Sequence, residues 1–210
     1  ELEQAWRDKR IMRNRDYILQ SYIPSEHFSF SVISREGEIL AYTLYHSLFQ
    51  PDPYRIGSLM DFINDDEIYN IGRKLVSDLK WSGVANVDFL VDRRDNSKKI
   101  LEFNPRFWQS LLGSANAGVN FPLMYCKDAI GEKSTYSKRQ RVFATPSMYP
   151  KIIIDSLKGK RNFKNIRLSD MGMHYTCSDP KPELIDLFQR IGSKIKNKIA
   201  HKSSLPGNVN

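Results

Sequence analysis

Two pairs of short segments with alternating apolar and polar side chains constrain the fold of this chain more than any other feature. Residues 28–34 and 38–46 alternate on either side of a glycine-containing turn at 35–37, which is the pattern of a β-hairpin. Residues 84–92 and 98–104 form a second pair around a short polar turn. Two hairpins of this kind predict an antiparallel sheet.

Helices are predicted to pack on this sheet, which makes the expected fold class α+β. Residues 65–80 carry apolar side chains at helical spacing, and Asp65, Asp66 and Glu67 favour the N-terminus of that helix. The other predicted elements are a strand at 17–23, a loop at 50–58, helices at 107–116 and 121–131, and helices at 151–158 and 182–200.

Charge divides the chain into two regions. Residues 1–132 contain 16 Lys and Arg against 19 Asp and Glu, a net charge of −3, whereas residues 133–210 contain 16 against 5, a net charge of +11. We therefore predict a main domain over 1–132 and a basic, mostly helical extension over 133–210. Since Lys194, Lys196 and Lys198 of the extension are not interleaved with aromatic residues, base stacking is unsupported and nucleic acid is not the expected partner.

The rest of the composition excludes several classes of protein. With 40% hydrophobic residues among 210, the chain can bury a core. No segment approaches the roughly 18 consecutive apolar residues of a membrane helix. Cys126 and Cys177 lie far apart without a metal-binding motif, so neither a disulfide framework nor a zinc site is expected. A cytoplasmic location is the simplest expectation.

Oxygen ligands converge on the second predicted hairpin. Glu102 and Asn104 share a strand face because they are two residues apart, and one register of the hairpin places Asp88 opposite Glu102. Like charges in such positions are destabilising, whereas carboxylate and amide oxygens are ligands that Mg²⁺ prefers. The alternative is an ordinary solvated sheet face, on which acidic residues are common.

The residues around this hairpin resemble a known superfamily. Residues 83–122 read GVANVDFLVDRRDNSKKILEFNPRFWQSLLGSANAGVNFP. A strand ending in Asp, a turn, an E-x-N-P-R segment, a helix and a Gly-x-x-hydrophobic-Pro segment follow in the order of ATP-grasp proteins, in particular the carbamoyl-phosphate-synthase-like branch. The resemblance covers about residues 15–132 and implies the larger, C-terminal subdomain of an ATP-grasp fold.

The resemblance also implies a set of functional residues and cofactors. Asp88, Glu102 and Asn104 match the ligands of Mg²⁺, for which Mn²⁺ is the alternative ion, and Arg106 matches the arginine that meets the transferred phosphate or an acyl phosphate. The residues that match the ATP-binding positions are Gln20, Ser21, Tyr22 and Ile23 in the hinge, His27 near the ribose and His46 near the triphosphate.

An ATP-dependent carboxylate–amine ligase acting on small molecules is the function that the resemblance implies. The family's glycine-rich loop and its lysine come from a subdomain that precedes the hinge, and residues 1–16 contain no glycine. We therefore expect the chain to be truncated, inactive alone, and completed by self-association or by another chain. Two other functions stay open. One is a non-catalytic nucleotide-binding or partner-supporting module, and the other is a basic nucleic-acid-binding protein.

Overall fold

One antiparallel sheet forms the centre of the protein. The computed structural model describes residues 20–49 and 59–145, together with positions 148, 149, 154, 157, 158, 181 and 185. The elements in chain order are β1 (Ser25–Arg35), β2 (Glu38–Phe49), β3 (Leu59–Ile63), α1 (Asp66–Asp78), β4 (Gly83–Asp92), β5 (Lys98–Asn104), α2 (Leu111–Asn116), α3 (Phe121–Ala129) and β6 (Arg141–Ala144). The strand order is β5-β4-β1-β2-β3-β6.

Helices cover both faces of the sheet. One face, here called the α1 face, carries Phe30, Val87 and Phe89, which are fully buried against α1. On this face the Phe30 ring lies so close to Gly72 of α1 that a Cβ there would sit 2.7 Å from the ring. This contact brings the helix close to the sheet, and Gly72 leaves the necessary space.

The opposite face is called the polar face, because its central side chains are Ser29, Ser31, Asn86 and Asp88. At one end of this face, Trp108 and Phe121 pack against apolar residues of β1, β2 and β4. Helix α2 approaches at Thr43, whose hydroxyl lies 3.1 Å from that of Ser114. The helices therefore leave the middle of the polar face to hydrogen-bonding side chains.

Local signals account for the predicted elements that are confirmed. Both hairpins form, and the first turns at Glu36 and Gly37, which have positive φ angles of 49° and 86°. Helix α1 begins after Asp65, whose carboxylate accepts from the Ile68 N–H at 2.9 Å. Asn120 caps α3 in the same way. No helix among the described residues is long and apolar enough to cross a membrane.

Four predictions of secondary structure need correction. Residues 20–24 carry no strand, so the described part of the predicted strand at 17–23 does not form one. The Pro24 carbonyl, directly before β1, accepts from the Arg93 N–H at 2.9 Å. Strand β3 was not predicted. Helix α2 starts at Leu111 rather than 107. Residues 133–150, assigned above to the basic, mostly helical extension, contain β6, which pairs with β3.

The sheet consequently continues past the predicted boundary at Glu132. The predicted loop at 50–58 lies outside the described residues. So do the helices at 151–158 and 182–200, except for isolated positions, of which 154, 157 and 185 are helical.

Candidate ATP- and metal-binding site

The hairpin of β4 and β5 brings the predicted metal ligands together. Asp88 is the direct cross-strand partner of Glu102, and Asn86 is the partner of Asn104. All four side chains therefore lie on the polar face. Asn104 Nδ2 lies 3.4 Å from Asp88 Oδ2, so the register expected from the sequence is confirmed.

The two carboxylates differ in their surroundings. Asp88 is half-buried and accepts hydrogen bonds, whereas Glu102 is exposed. Within the described part of the chain, no ion pair or hydrogen bond engages the Glu102 carboxylate. A pair of adjacent carboxylates, one of them without a cationic partner there, leaves oxygen atoms available to a divalent cation.

The donor set fits Mg²⁺ better than a metal held only by protein. No cluster of three or more His, Cys, Asp or Glu side chains occurs among the described residues. Two carboxylates and one amide oxygen are too few to complete an octahedral shell. Mg²⁺ usually keeps waters and takes further oxygens from phosphates, so such an incomplete set suits it.

Arg106 lies beside this cluster on the chain that leaves β5. Its Nη2 donates to Asn104 Oδ1 at 3.2 Å, and its Nη1 donates to the Phe107 carbonyl at 3.2 Å. The Asn104 amide thus turns its oxygen to Arg106 and its nitrogen to Asp88. For Asn104 Oδ1 to ligate a metal near Asp88, the amide would have to rotate, which would release Arg106.

Polar residues that were not predicted as site residues form hydrogen bonds with the Asp88 carboxylate. Ser29 Oγ and Asn86 Nδ2 lie 2.9 Å and 3.0 Å from Asp88 Oδ1. Ser29 and Ser31 in turn lie 2.8 Å and 2.9 Å from Asn86 Oδ1. Period-two alternation puts Ser29 and Ser31 on one face of β1, and Asn86 and Asp88 on one face of β4. Only the pairing of β1 with β4 brings these two pairs of residues together.

Tyr45 extends this polar network toward α2. It is 6% exposed, and its side chain forms hydrogen bonds with Ser110 and Ser29. Burial raises the pKa of the Tyr45 phenol, and the negative charge of Asp88 adds to that effect. The Tyr45 hydroxyl consequently keeps its proton and remains a hydrogen-bond donor beside Ser29.

A cavity of about 970 Å³ lies at the end of the sheet next to Asp88. His27 and Leu90, which pair across β1 and β4, form part of its wall, one step along the polar face from Ser29 and Asp88. The cavity is lined by all six predicted nucleotide-binding residues, Gln20, Ser21, Tyr22, Ile23, His27 and His46, and by Ser25, Glu26, Ser47, Leu48, Leu90, Arg93, Lys99, Ile100 and Leu101.

The two histidines take different positions around the cavity. His27 belongs to β1, and its place in the strand puts it on the polar face. His46 lies on the α1 face, where it stacks on Phe28 with ring centroids 4.5 Å apart and contacts Glu26 at 3.2 Å. His46 therefore borders the cavity but faces away from Asp88.

Lys99 and Leu90 are cavity residues that the sequence did not single out. Lys99 is the cross-strand partner of Leu90, and its ammonium donates to Ser97 Oγ. Because a β-bulge between Asp88 and Phe89 shifts the register of β5, simple alternation from Glu102 would put Lys99 on the wrong face. Recognising its position required the observed pairing.

Comparison with known proteins identifies the family. The family described as "ATP-grasp in the biosynthetic pathway with Ter operon" matches residues 13–148, a range that contains every strand and helix defined above. The chain belongs to this ATP-grasp family. Among curated proteins, the D-aspartate ligase of Enterococcus faecium (strain Aus0004) is 25% identical over 136 residues, which are 60% of this chain and 32% of the ligase. The ATP-grasp chain thus spans about a third of that relative.

Solved structures share the fold. The biotin carboxylase domain of a thermophilic 2-oxoglutarate carboxylase bound to bicarbonate has a TM-score of 0.51 at 18% identity, covering 68% of this chain and 35% of that one. Rhizobium etli pyruvate carboxylase crystallized without acetyl coenzyme-A has a TM-score of 0.50 at 9% identity. The match covers 64% of this chain and 16% of that one. The predicted α+β fold with an antiparallel sheet is confirmed.

Proposed function

We propose that this chain is the ATP- and Mg²⁺-binding part of an ATP-dependent carboxylate–amine ligase. The observation that carries the proposal is the position of Asp88, Glu102 and Asn104 on one sheet face, directly beside the cavity that the hinge residues line. Family membership supports ATP as the nucleotide, and the similarity to a D-aspartate ligase supports carboxylate and amine substrates.

The cavity suits the adenosine part of ATP. Its volume of about 970 Å³ lies within the range of small-molecule sites. Tyr22, Leu48, Ile100 and Leu101 offer exposed apolar surface around it, against which a purine can pack. The backbone of residues 20–23 forms no strand with the described part of the chain, so its N–H and C=O groups would be able to read the edge of the base.

The chemistry proposed next to the cavity is phosphoryl transfer. Mg²⁺ held by Asp88, Glu102 and Asn104 would neutralise phosphate charge. Arg106, with two parallel donors, would bind the transferred phosphoryl group and the acyl phosphate. A substrate carboxylate attacks the γ-phosphorus and releases ADP, and an amine then attacks the acyl carbon and releases inorganic phosphate. Such reactions depend on positioning and charge neutralisation, which is what this residue set can supply.

Binding of MgATP tests the proposal directly. Isothermal titration of the protein with ATP should give a magnesium-dependent affinity that falls roughly tenfold or more when Asp88→Asn and Glu102→Gln are combined, because phosphate charge then loses its bridging ion. The matched control is Glu132→Gln, an exposed carboxylate that is not among the cavity residues and should bind like wild type. Equal binding by all three proteins, or binding that ignores magnesium, would exclude the site.

A second assay separates the ligase from a nucleotide-binding module. ATP-dependent release of phosphate is measured with candidate amino acids, first with this chain and then with a longer protein that contains it. Nucleotide binding without turnover in either preparation would favour the non-catalytic module.

A further inference from the structure

The two oxygens of Asp88 have different surroundings. Oδ1 points into the sheet, where it meets Ser29 Oγ at 2.9 Å and Asn86 Nδ2 at 3.0 Å. Oδ2 points to the site, where the nearest described partner is Asn104 Nδ2 at 3.4 Å. One oxygen is therefore engaged by protein donors, and the other faces the proposed metal site.

The donors to Oδ1 are held in place by burial. Ser29 is 2% exposed and Asn86 is 6% exposed. The Asn86 amide has a defined orientation because its oxygen faces the hydroxyls of Ser29 and Ser31, at 2.8 Å and 2.9 Å, which leaves its nitrogen for Asp88. Rotating Asp88 to offer both oxygens to an ion would take the acceptor away from the buried Asn86 amide nitrogen, which is unfavourable. The Ser29 hydroxyl would then be left with Asn86 Oδ1 as its acceptor.

We propose that Asn86, together with Ser29, holds Asp88 as a one-oxygen ligand and so makes the site select Mg²⁺ or Mn²⁺ against Ca²⁺. This inference rests on the proposed metal site. Ca²⁺ takes six to eight oxygens and commonly binds a carboxylate through both, whereas Mg²⁺ requires an octahedral shell with short single-oxygen bonds. A carboxylate that cannot turn both oxygens outward suits the single-oxygen bonds of Mg²⁺ and not the two-oxygen binding that is common with Ca²⁺.

Asn86 and Ser29 are thus positioning residues, which act on the ion through Asp88. Groups that orient a metal ligand commonly change metal affinity by about 10- to 100-fold when they are removed. Here the expected change is selective. Freeing Oδ1 should strengthen Ca²⁺ binding relative to Mg²⁺, whereas a general loss of structure would weaken both ions together.

The test measures metal binding rather than activity. Mn²⁺ is titrated into the protein with ADP present, bound Mn²⁺ is followed by electron paramagnetic resonance, and Mg²⁺ or Ca²⁺ is used to displace it. In wild type, Mg²⁺ should compete better than Ca²⁺. In Asn86→Ala, the preference for Mg²⁺ over Ca²⁺ should fall about tenfold.

Two further variants make the result decisive. Ser34→Ala is the matched control, because Ser34 is also a fully buried serine of β1 but donates to the Trp81 carbonyl instead, and its preference should equal that of wild type. If circular dichroism finds Asn86→Ala unfolded, Ser29→Ala carries the test, with an expected fall of about threefold, since it removes one of the two donors.

The possible failures are distinguishable. An unchanged ion preference in folded Asn86→Ala and Ser29→Ala, or equal competition by Ca²⁺ and Mg²⁺ in wild type, would overturn this inference while leaving the metal site intact. Absence of Mn²⁺ binding to wild type would overturn both the inference and the proposed function.

Discussion

At the scale of single residues, Asp92 holds the turn that aligns the two carboxylates. Its buried side chain accepts four hydrogen bonds from Arg94. The backbone N–H at 3.0 Å and Nε at 2.9 Å donate to Oδ1, and Nη2 at 2.6 Å and Nε at 3.3 Å donate to Oδ2. The hydrogen bonds from Arg94 lower the pKa of Asp92 from 3.8 to about 2. This turn connects β4 to β5, so Asp92 supports the register that pairs Asp88 with Glu102.

Acid should weaken the fold through Asp92. Because its pKa is lower in the folded protein than in the unfolded chain, its contribution to stability is complete above about pH 4 and is lost as the pH falls toward 2. The free energy of unfolding of wild type and Asp92→Asn should therefore differ by a constant amount from pH 7 to about pH 5, and the difference should shrink below pH 4. A difference that does not depend on pH would contradict the role given to the Arg94 interaction. Chemical denaturation at each pH provides the measurement.

Substitution of the two carboxylates should have different effects on the free energy of unfolding. Glu102 is exposed and faces another carboxylate, so Glu102→Gln should leave stability unchanged or raise it by about 0.2–1 kcal/mol in the absence of metal. Asp88→Ala should destabilise by about 1–3 kcal/mol, because the buried Asn86 amide nitrogen loses its acceptor. Urea unfolding in EDTA measures both. Equal losses for the two variants would mean that Glu102 also has a structural partner.

At the scale of elements, residues 132–140 connect α3 to β6 along the edge of the sheet. Arg139 N–H donates to the Ala117 carbonyl at 2.9 Å, and Lys138 Nζ lies 3.6 Å above the ring of Tyr42, on the α1 face. The segment thereby contacts the α2 end on one face of the sheet and an aromatic residue on the other. Burial lowers the pKa of the Lys138 ammonium to about 8, and the ring face of Tyr42 favours its charged form.

Gly118 permits the close approach of this segment, which leads to a prediction about two glycines. A Cβ on Gly118 (φ +94°) would lie 2.0 Å from the Ser137 carbonyl oxygen, whereas a Cβ on Gly131 (φ +76°) would meet nothing within 4 Å. Both alanine substitutions force a left-handed backbone, at a cost of about 1–2 kcal/mol. Gly118→Ala should lose at least about 1 kcal/mol more than Gly131→Ala, since the connecting segment must also move. Thermal unfolding of the two variants measures the difference, and equal losses would show that the segment moves aside freely.

The elements also explain what could be predicted from the sequence. The two hairpins and α1 were predicted because their signals are local: alternation, turn residues and a capping aspartate. Strands β3 and β6 have only five and four residues, and β6 depends on a partner about 80 positions earlier. Residues 20–23 have the composition of a strand, but no strand among the described residues pairs with them.

The site was predictable to the same extent. Asp88, Glu102 and Asn104 are close in sequence and belong to one hairpin, so their motif and period predicted that they lie together as candidate ligands. Ser29 and Asn86 touch only through the pairing of β1 with β4, which no local pattern reveals. His46 was assigned to the triphosphate by its place in the chain order, but the alternation of β2 puts it on the α1 face.

At the scale of the whole molecule, the chain separates an acidic region that contains the site from a basic region. Residues 1–132 carry a net charge of −3 and residues 133–210 carry +11. Strand β6 nevertheless ties the start of the basic region to the sheet. Most of the Lys and Arg residues of the basic region lie outside the described residues, among them Lys194, Lys196 and Lys198.

The two regions should therefore bind different ligands with different salt dependence. Binding of duplex DNA by the basic region should be weak and non-specific, roughly 10⁻⁴ to 10⁻⁶ M at physiological salt, with a log–log salt slope near −0.9 per phosphate contacted. Changing Lys194, Lys196 and Lys198 together to Gln should flatten that slope by about two to three units if these lysines make the contacts.

MgATP binding at the proposed ligands Asp88 and Glu102 should survive the triple change, because both residues belong to the β4–β5 hairpin. Fluorescence anisotropy across a salt series, with ATP titration as the parallel assay, measures both. Sequence-selective DNA binding in the nanomolar range at physiological salt would make nucleic-acid recognition the primary function.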